Sequence, residues 1–163
     1  RVNAPTFSEF KELSSQMEYT PCDLWSLINW MSKNEEKNIV LDPKGANPIA
    51  IYKEFSNLAD YGVISRTFPQ IYYPKQFEEL AAVDWGGVIW TTYKRFPSQE
   101  LFSQVTSDLP LSAVTIPKDR LSELDLTASS IPVFSHTINT LEELAQVREL
   151  GVTNVYTDHI LDK

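Results

Sequence analysis

Ile39-Val40-Leu41-Asp42-Pro43-Lys44 decides the fold: three apolar residues in a row, then an acid and a lysine two positions apart. The apolar run predicts a short buried strand. Residues i and i+2 of a strand point to the same side, so Asp42 and Lys44 are expected to project together. Just past the C-terminal end of a parallel strand, they would face the crevice where α/β proteins place chemistry. A carboxylate and an ammonium suit a hard cation plus a phosphate, the first holding the metal and the second answering the anionic oxygens. The competing reading is an exposed Asp–Lys pair in a turn, typically worth about 0–1 kcal/mol.

Outward from that stretch, strands alternate with helices. Thr6-Phe7-Ser8-Glu9 is a capping box before Phe10 and Leu13, and predicts a short helix. Thr20-Pro21-Cys22-Asp23 opens a second helix, with Thr20 as cap, Pro21 in the first turn and the acid at the positive end of the dipole. Leu24, Leu27, Ile28 and Met31 form its inward stripe. Asn47-Pro48 starts a helix carrying Ile51, Phe55, Leu58 and Ala59, which Gly62 is expected to end.

A strand over roughly Val63 to Tyr72 contains Pro69 and should be irregular or broken there. Pro74 restarts a helix with Phe77, Leu80 and Ala81 inward, and Gly86-Gly87 punctuates before a strand from Val88 to Tyr93. Ser98 to Val105 reads as a helix and Ser112 to Ile116 as a strand. Pro117 to Ser130 is less regular, with one short helical piece, before a strand from Ile131 to Ile138. Asn139-Thr140 caps a helix with Glu143 placed for a capping box, Leu141, Leu144 and Ala145 inward, and Gly151 at its close. A sixth strand runs from Val152 to Thr157, ending at Asp158.

Six strands with mostly helical connections imply a parallel sheet covered by helices, either an open doubly wound sheet or a barrel. No Gly-rich fingerprint follows any strand, which removes the main sign of a dinucleotide-binding open sheet. At 163 residues the chain has the length of one domain and enough mass for a real core. No apolar run approaches the roughly 20 residues that span a bilayer.

Net charge is −8 with no basic run, so nucleic acid and anionic membrane surfaces are disfavoured partners. A phosphate ligand would need a metal or a few placed cations. One cysteine, Cys22, excludes an intramolecular disulfide and a Cys-rich zinc site, and two histidines leave little room for a His-based metal site. Ser65 and Ser135 lack a Gly-x-Ser-x-Gly setting, which disfavours a serine hydrolase. The four tryptophans, Trp25, Trp30, Trp85 and Trp90, are first of all core or interface aromatics. The N-terminus leaves the compartment open.

One group of motifs is informative together. Pro132-Val133-Phe134-Ser135-His136-Thr137-Ile138-Asn139, the helix beginning Thr140-Leu141-Glu142-Glu143-Leu144, then Gly151-Val152 and Tyr156-Thr157-Asp158 follow one another at the C-terminus. Upstream stand Pro5-Thr6 with Glu9-Phe10, Tyr19-Thr20-Pro21, Asp42-Pro43-Lys44, Pro69-Gln70-Ile71-Tyr72 and Ile89-Trp90-Thr91-Thr92-Tyr93. In this order they resemble the glycerophosphodiester phosphodiesterases, closest to a bacterial branch with Asp as the acid of the Glu-x-Lys motif. The resemblance covers nearly the whole chain.

The resemblance implies a TIM barrel that hydrolyses a phosphodiester with a divalent metal, Ca²⁺ or Mg²⁺. Asp42 would then be one metal ligand, and Lys44 the catalytic residue contacting phosphate. His136, standing where the family has an aromatic residue, would line the substrate pocket. So would Gln70, Trp90 and Tyr93, near other strand ends. The implied substrate is a glycerophosphodiester or a related lipid or wall-polymer head group.

The departures are as informative. The family's His-Arg-Gly after the first strand, its Glu-x-Asp metal pair after the second and a further His-Asp have no counterpart ahead of Asp42-Pro43-Lys44. Against about 250 residues for a full barrel, the chain falls short by roughly two βα units. The expected fold is therefore an incomplete (β/α)8 TIM barrel, one domain over 1–163 with about six parallel strands, lacking the N-terminal two units. Proton transfer alone typically contributes about 10²–10⁴-fold, so this chain should turn over poorly on its own. Completion by an upstream segment, by another copy in a strand-completing homo-oligomer, or by another chain would cover the exposed sheet edges. Two rivals stand beside the enzyme: a non-catalytic binding or assembly module on a degenerate barrel, and an open-sheet α/β enzyme of other chemistry.

Overall fold

A computed structural model describes residues 6–16, 22–45 and 47–159. The chain forms two compact units, residues 1–37 and 38–163, each described by itself.

The first unit holds α1 (Phe7–Gln16) and α2 (Leu24–Lys33). The capping box of α1 forms as expected: the Glu9 N–H donates to Thr6 Oγ1 at 3.3 Å, and the Thr6 N–H donates to Glu9 Oε2 at 2.6 Å. For α2 the cap is Asp23 itself, whose Oδ1 accepts from the Ser26 N–H at 2.8 Å. The expected cap, Thr20, and Pro21 lie outside the described residues. Ile28 and Met31 are the buried part of the α2 stripe.

The second unit runs β1 (Ile39–Leu41), α3 (Pro48–Leu58), α4 (Tyr61–Ile64), β2 (Thr67–Ile71), α5 (Phe77–Leu80), β3 (Ile89–Thr91), α6 (Gln99–Asp108), β4 (Ala113–Pro117), β5 (Val133–His136), α7 (Leu141–Glu149) and β6 (Asn154–Val155). All six strands are parallel, in the order β1-β2-β3-β4-β5-β6. Each strand pairs with the next in sequence and the order never reverses, so there is no switch point of the kind an open doubly wound sheet requires. With right-handed crossovers, a steadily advancing order keeps the helices on one face and curls the sheet away from them. The fold is an incomplete TIM barrel, six parallel strands with outer helices.

Period-two alternation separates its two faces. On β4, Val114 and Ile116 are fully buried in the apolar cluster with Ile49 and Tyr52 of α3 and Phe102 and Val105 of α6. Thr115, between them, belongs to the inner wall. On β3, Trp90 joins the apolar cluster and Thr91 the inner wall.

Several local expectations give way to packing. Gly62 does not end the helix before it. Leu58 does, and Asp60 then caps α4, its Oδ1 accepting from the Val63 N–H at 2.9 Å. The buried stripe of α3 is Ile49, Tyr52 and Phe55, while Ile51 faces solvent. Strand β2 begins only at Thr67 and runs unbroken through Pro69. Its register pairs with β1 end at Pro69 and those with β3 start at Gln70, so the missing N–H falls where pairing passes from one neighbour to the other. Ala81 caps α5 and is exposed. The stretch after β4 holds two 3₁₀ turns, Lys118–Glu123 and Leu126–Ala128, rather than one helical piece.

On α7, Val147 is the buried residue and Leu144 packs against the core, while Leu141 and Ala145 face out. Its capping box is shifted by one residue. The Glu143 N–H donates to Thr140 Oγ1 at 3.1 Å, but the Glu143 carboxylate takes the N–H of Asn139 at 3.0 Å.

Candidate functional site

The C-terminal ends of the strands surround a cavity of about 220 Å³. Asp42 and Lys44, after β1, line it from one side, with Gln70 of β2 and Thr91 of β3. Tyr93, Thr115, His136 and Tyr156 complete the wall. The i, i+2 relation thus brings the acid and the lysine to one place. Behind them, the Tyr52 hydroxyl on α3 lies 3.0 Å from the Leu41 carbonyl and 2.6 Å from the Gln70 carbonyl, tying the ends of β1 and β2 together.

A hydrogen-bonded quartet organises the cavity. Lys44 Nζ donates to Asp42 Oδ2, to the Tyr93 hydroxyl at 3.0 Å and to the Tyr72 hydroxyl at 3.2 Å. The Tyr72 hydroxyl donates to Asp42 Oδ1 and lies 2.9 Å from the Tyr93 oxygen. Across the cavity, Gln70 Nε2 donates to the Tyr156 hydroxyl at 3.3 Å, and Thr115 Oγ1 is 3.3 Å from the same oxygen. Both oxygens of Asp42 are therefore engaged, and all three ammonium protons of Lys44 have acceptors. The Lys44 side chain is 64% exposed, so its acceptors are replaceable by a stronger one from solvent.

Partial burial pulls the Lys44 ammonium down, but its bonds to Asp42 and Tyr93 outweigh that and hold its pKa above the ordinary 10.5. Burial, then the bonds to Asp42 and Tyr93, push the Tyr72 phenol far above its usual value, so it remains a donor. Burial works the same way on Tyr93, but its hydrogen bonds with Tyr72 and Lys44 reverse it and lower this phenol below its usual value. Of the two hydroxyls, Tyr93 releases its proton first. Burial also raises Tyr156. His136 is lowered, mainly by burial, with Asp119 opposing and Lys44 assisting, which leaves it neutral at pH 7.

A histidine with a depressed folded pKa contributes stability at high pH. That contribution is lost as pH falls below the unfolded value of about 6.5 toward the lower folded value. His136→Gln is accordingly expected to flatten the decline in melting temperature just below pH 6.5. Identical slopes in parent and variant would show that His136 titrates freely.

Of the residues expected at the site, Asp42, Lys44, Gln70, Tyr93 and His136 come together in this one cavity, and Trp90 does not. Trp90 and Tyr93 are three residues apart, so strand alternation sends them to opposite faces. Trp90 is 1% exposed in the core. The expectation missed Tyr72, Thr91, Thr115 and Tyr156. Parity was the available signal: Tyr72 is i+2 from Gln70, and Thr91 is i+2 from Tyr93.

The donor set does not by itself hold a Ca²⁺ or Mg²⁺ ion. Calcium takes about 6–8 oxygen ligands and Mg²⁺ a full octahedron, commonly with one or two carboxylates. Asp42 is the sole carboxylate in this cavity, and both its oxygens are taken by Lys44 and Tyr72. Among the described residues no group of three or more His, Cys, Asp or Glu is placed to bind a metal.

No family model and no curated protein matches the sequence. Solved structures match the fold. A protein named as a glycerophosphoryl diester phosphodiesterase from Silicibacter pomeroyi DSS-3 superposes with a TM-score of 0.53 at 13% identity over 83% of this chain and 52% of that one. A phosphodiesterase from Oleispira antarctica, in complex with its product sn-glycerol-3-phosphate, superposes with a TM-score of 0.54 at 16% identity over 83% of this chain and 57% of that one. The chain thus has the fold of these phosphodiesterases and spans little more than half of their length.

Proposed function

We propose that the Asp42–Lys44 cavity binds the phosphate of a glycerophosphodiester, and that the protein belongs to metal-assisted phosphodiester cleavage when its acid–base and metal groups are supplied from outside the described residues. The observation that carries this reading is the presentation of Lys44 by Asp42, Tyr72 and Tyr93 at the mouth of a parallel barrel wall. A product complex with sn-glycerol-3-phosphate on the same fold supports the choice of ligand.

The phosphoryl oxygens replace the tyrosine oxygens as acceptors for Lys44, which offsets charge developing on phosphorus. Asp42 keeps the ammonium in place, and the Tyr72 phenol stays protonated to donate. Neutral His136 holds the glycerol portion, with Gln70 and Tyr156 beside it.

The engagement of both Asp42 oxygens favours a second reading for these residues alone, binding without turnover. Strands β1 and β6 each pair on one side among the described residues. A further segment or a second copy covering those edges would bring the groups that turnover needs. No helix among the described residues is long and apolar enough to cross a membrane.

Calorimetric titration of the chain with sn-glycerol 3-phosphate tests the reading. Saturable binding with Kd on the order of 1 mM or tighter is expected, with none for glycerol. Equal heats from the two compounds, or no saturation with either, would remove the phosphate from this cavity.

A further inference from the structure

A second cavity, of about 390 Å³, is bordered by Tyr72, which does not line the first. The Tyr72 hydroxyl belongs to the Asp42–Lys44 network, while the residue also borders this neighbouring space. The wall is otherwise apolar, from Tyr73, Pro74, Trp90 and Leu101, with Lys75 and Arg95 as its charged members and no carboxylate. Lys94 adds a third cation, its Nζ 3.6 Å from the centre of the Tyr72 ring. Glu78 and Asp108 lie beside Lys75 on an adjoining hollow but do not line this one.

Lys75 and Arg95 have no ion-pair partner among the described residues, whereas Lys44, Lys118 and Arg120 each have one. In a chain of net charge −8, the loops after β2 and β3 thus gather three cations, Lys75, Lys94 and Arg95. Trp90 supplies a second, independent sign. It is 1% exposed, and its Nε1, like that of Trp85, is buried with no acceptor among the described residues; of the two, only Trp90 borders either cavity. Buried donors are nearly always paired, with protein, water or a ligand. The first cavity, at about 220 Å³, is smaller than the roughly 300–1,000 Å³ usual for small-molecule sites, and the second falls within that range.

We propose that this cavity is a second binding site, for an anionic group carried on an apolar or aromatic stem. The stem lies against Tyr73, Pro74 and Leu101, and the anion meets Lys75 and Arg95.

The test is a titration of the ¹⁵N-labelled full chain with phenyl phosphate, following the indole N–H resonance of Trp90. That resonance is assigned by its loss in Trp90→Phe, or by sequential assignment of the unsubstituted chain should the variant not fold. A saturable shift is expected, persisting with sn-glycerol 3-phosphate in excess. In a Lys75→Gln, Arg95→Gln double variant it should weaken about tenfold, with sn-glycerol 3-phosphate affinity unchanged. An equal shift from phenol would reduce the cavity to an apolar hollow and overturn the proposal. So would displacement of phenyl phosphate by sn-glycerol 3-phosphate, or full affinity in the double variant. If sn-glycerol 3-phosphate fails to bind while phenyl phosphate still shifts Trp90, the phosphodiester reading falls and the second site stands.

Discussion

Alanine at Gly87 is expected to destabilise the fold by about 3 kcal/mol and to lower the melting temperature by roughly 10 °C. Gly87 has φ +154°, in the range that L side chains rarely adopt, and a Cβ there would lie 1.7 Å from Ser112 Oγ and 2.8 Å from Ser112 Cβ. The hydroxyl can rotate away; the Cβ cannot. Ser112 is anchored at the approach to β4 by its N–H bond to the Val88 carbonyl at 2.9 Å, so relief requires the entry of β3 to separate from that of β4. Strain of about 1–3 kcal/mol from the backbone and a similar amount from overpacking make up the estimate.

Gly86, next to it, donates to the carbonyls of Ile64 at 3.2 Å and Thr67 at 3.0 Å, and a Cβ there would lie 2.6 Å from the Ser65 carbonyl oxygen. The Gly86-Gly87 pair is thus where the chain passes closest under β2 and β4. Thermal unfolding followed by circular dichroism measures the effect. A shift of less than about 3 °C would mean the crossing relaxes easily and does not hold the sheet together.

The sheet topology was legible because each strand carries a short apolar run between helix-start signals, and such alternation has few solutions. The barrel rather than an open sheet was not legible from periodicity. It follows from strand order, which is a long-range property; for that the resemblance was needed. The Asp42–Lys44 pair was legible from a local rule, two residues on one side of a strand. Applied consistently, the same rule would have excluded Trp90 and included Tyr72 and Thr91.

Tyr156 and Thr115 were beyond local reasoning, since they meet Gln70 only through pairings 41 and 86 residues apart in sequence. The misplaced helix faces have a common cause as well. Leu141 and Ile51 are strongly apolar, but α7 and α3 are anchored by Val147 and by Tyr52, and a helix offers only one stripe to its sheet. In α3 the winning residue is a tyrosine, whose hydroxyl reaches two strand-end carbonyls.

Replacing Lys44 by alanine is expected to weaken sn-glycerol 3-phosphate binding about 100-fold. A hydrogen bond between charged groups contributes about 1.5–3 kcal/mol, and tenfold in affinity corresponds to about 1.4 kcal/mol. The loss goes beyond one contact because the Asp42 carboxylate, now without its ammonium, faces the incoming phosphate. Folding should be spared, since most of the Lys44 side chain is in solvent. Adding Asp42→Asn to Lys44→Ala removes that repulsion and should recover about tenfold. The direct measurement of the central claim is therefore calorimetry of sn-glycerol 3-phosphate against the parent chain, Lys44→Ala and the double variant. Binding that is saturable, then nearly lost, then partly restored places the phosphate at Lys44. Affinity unchanged within about twofold across all three would show that the ligand binds elsewhere.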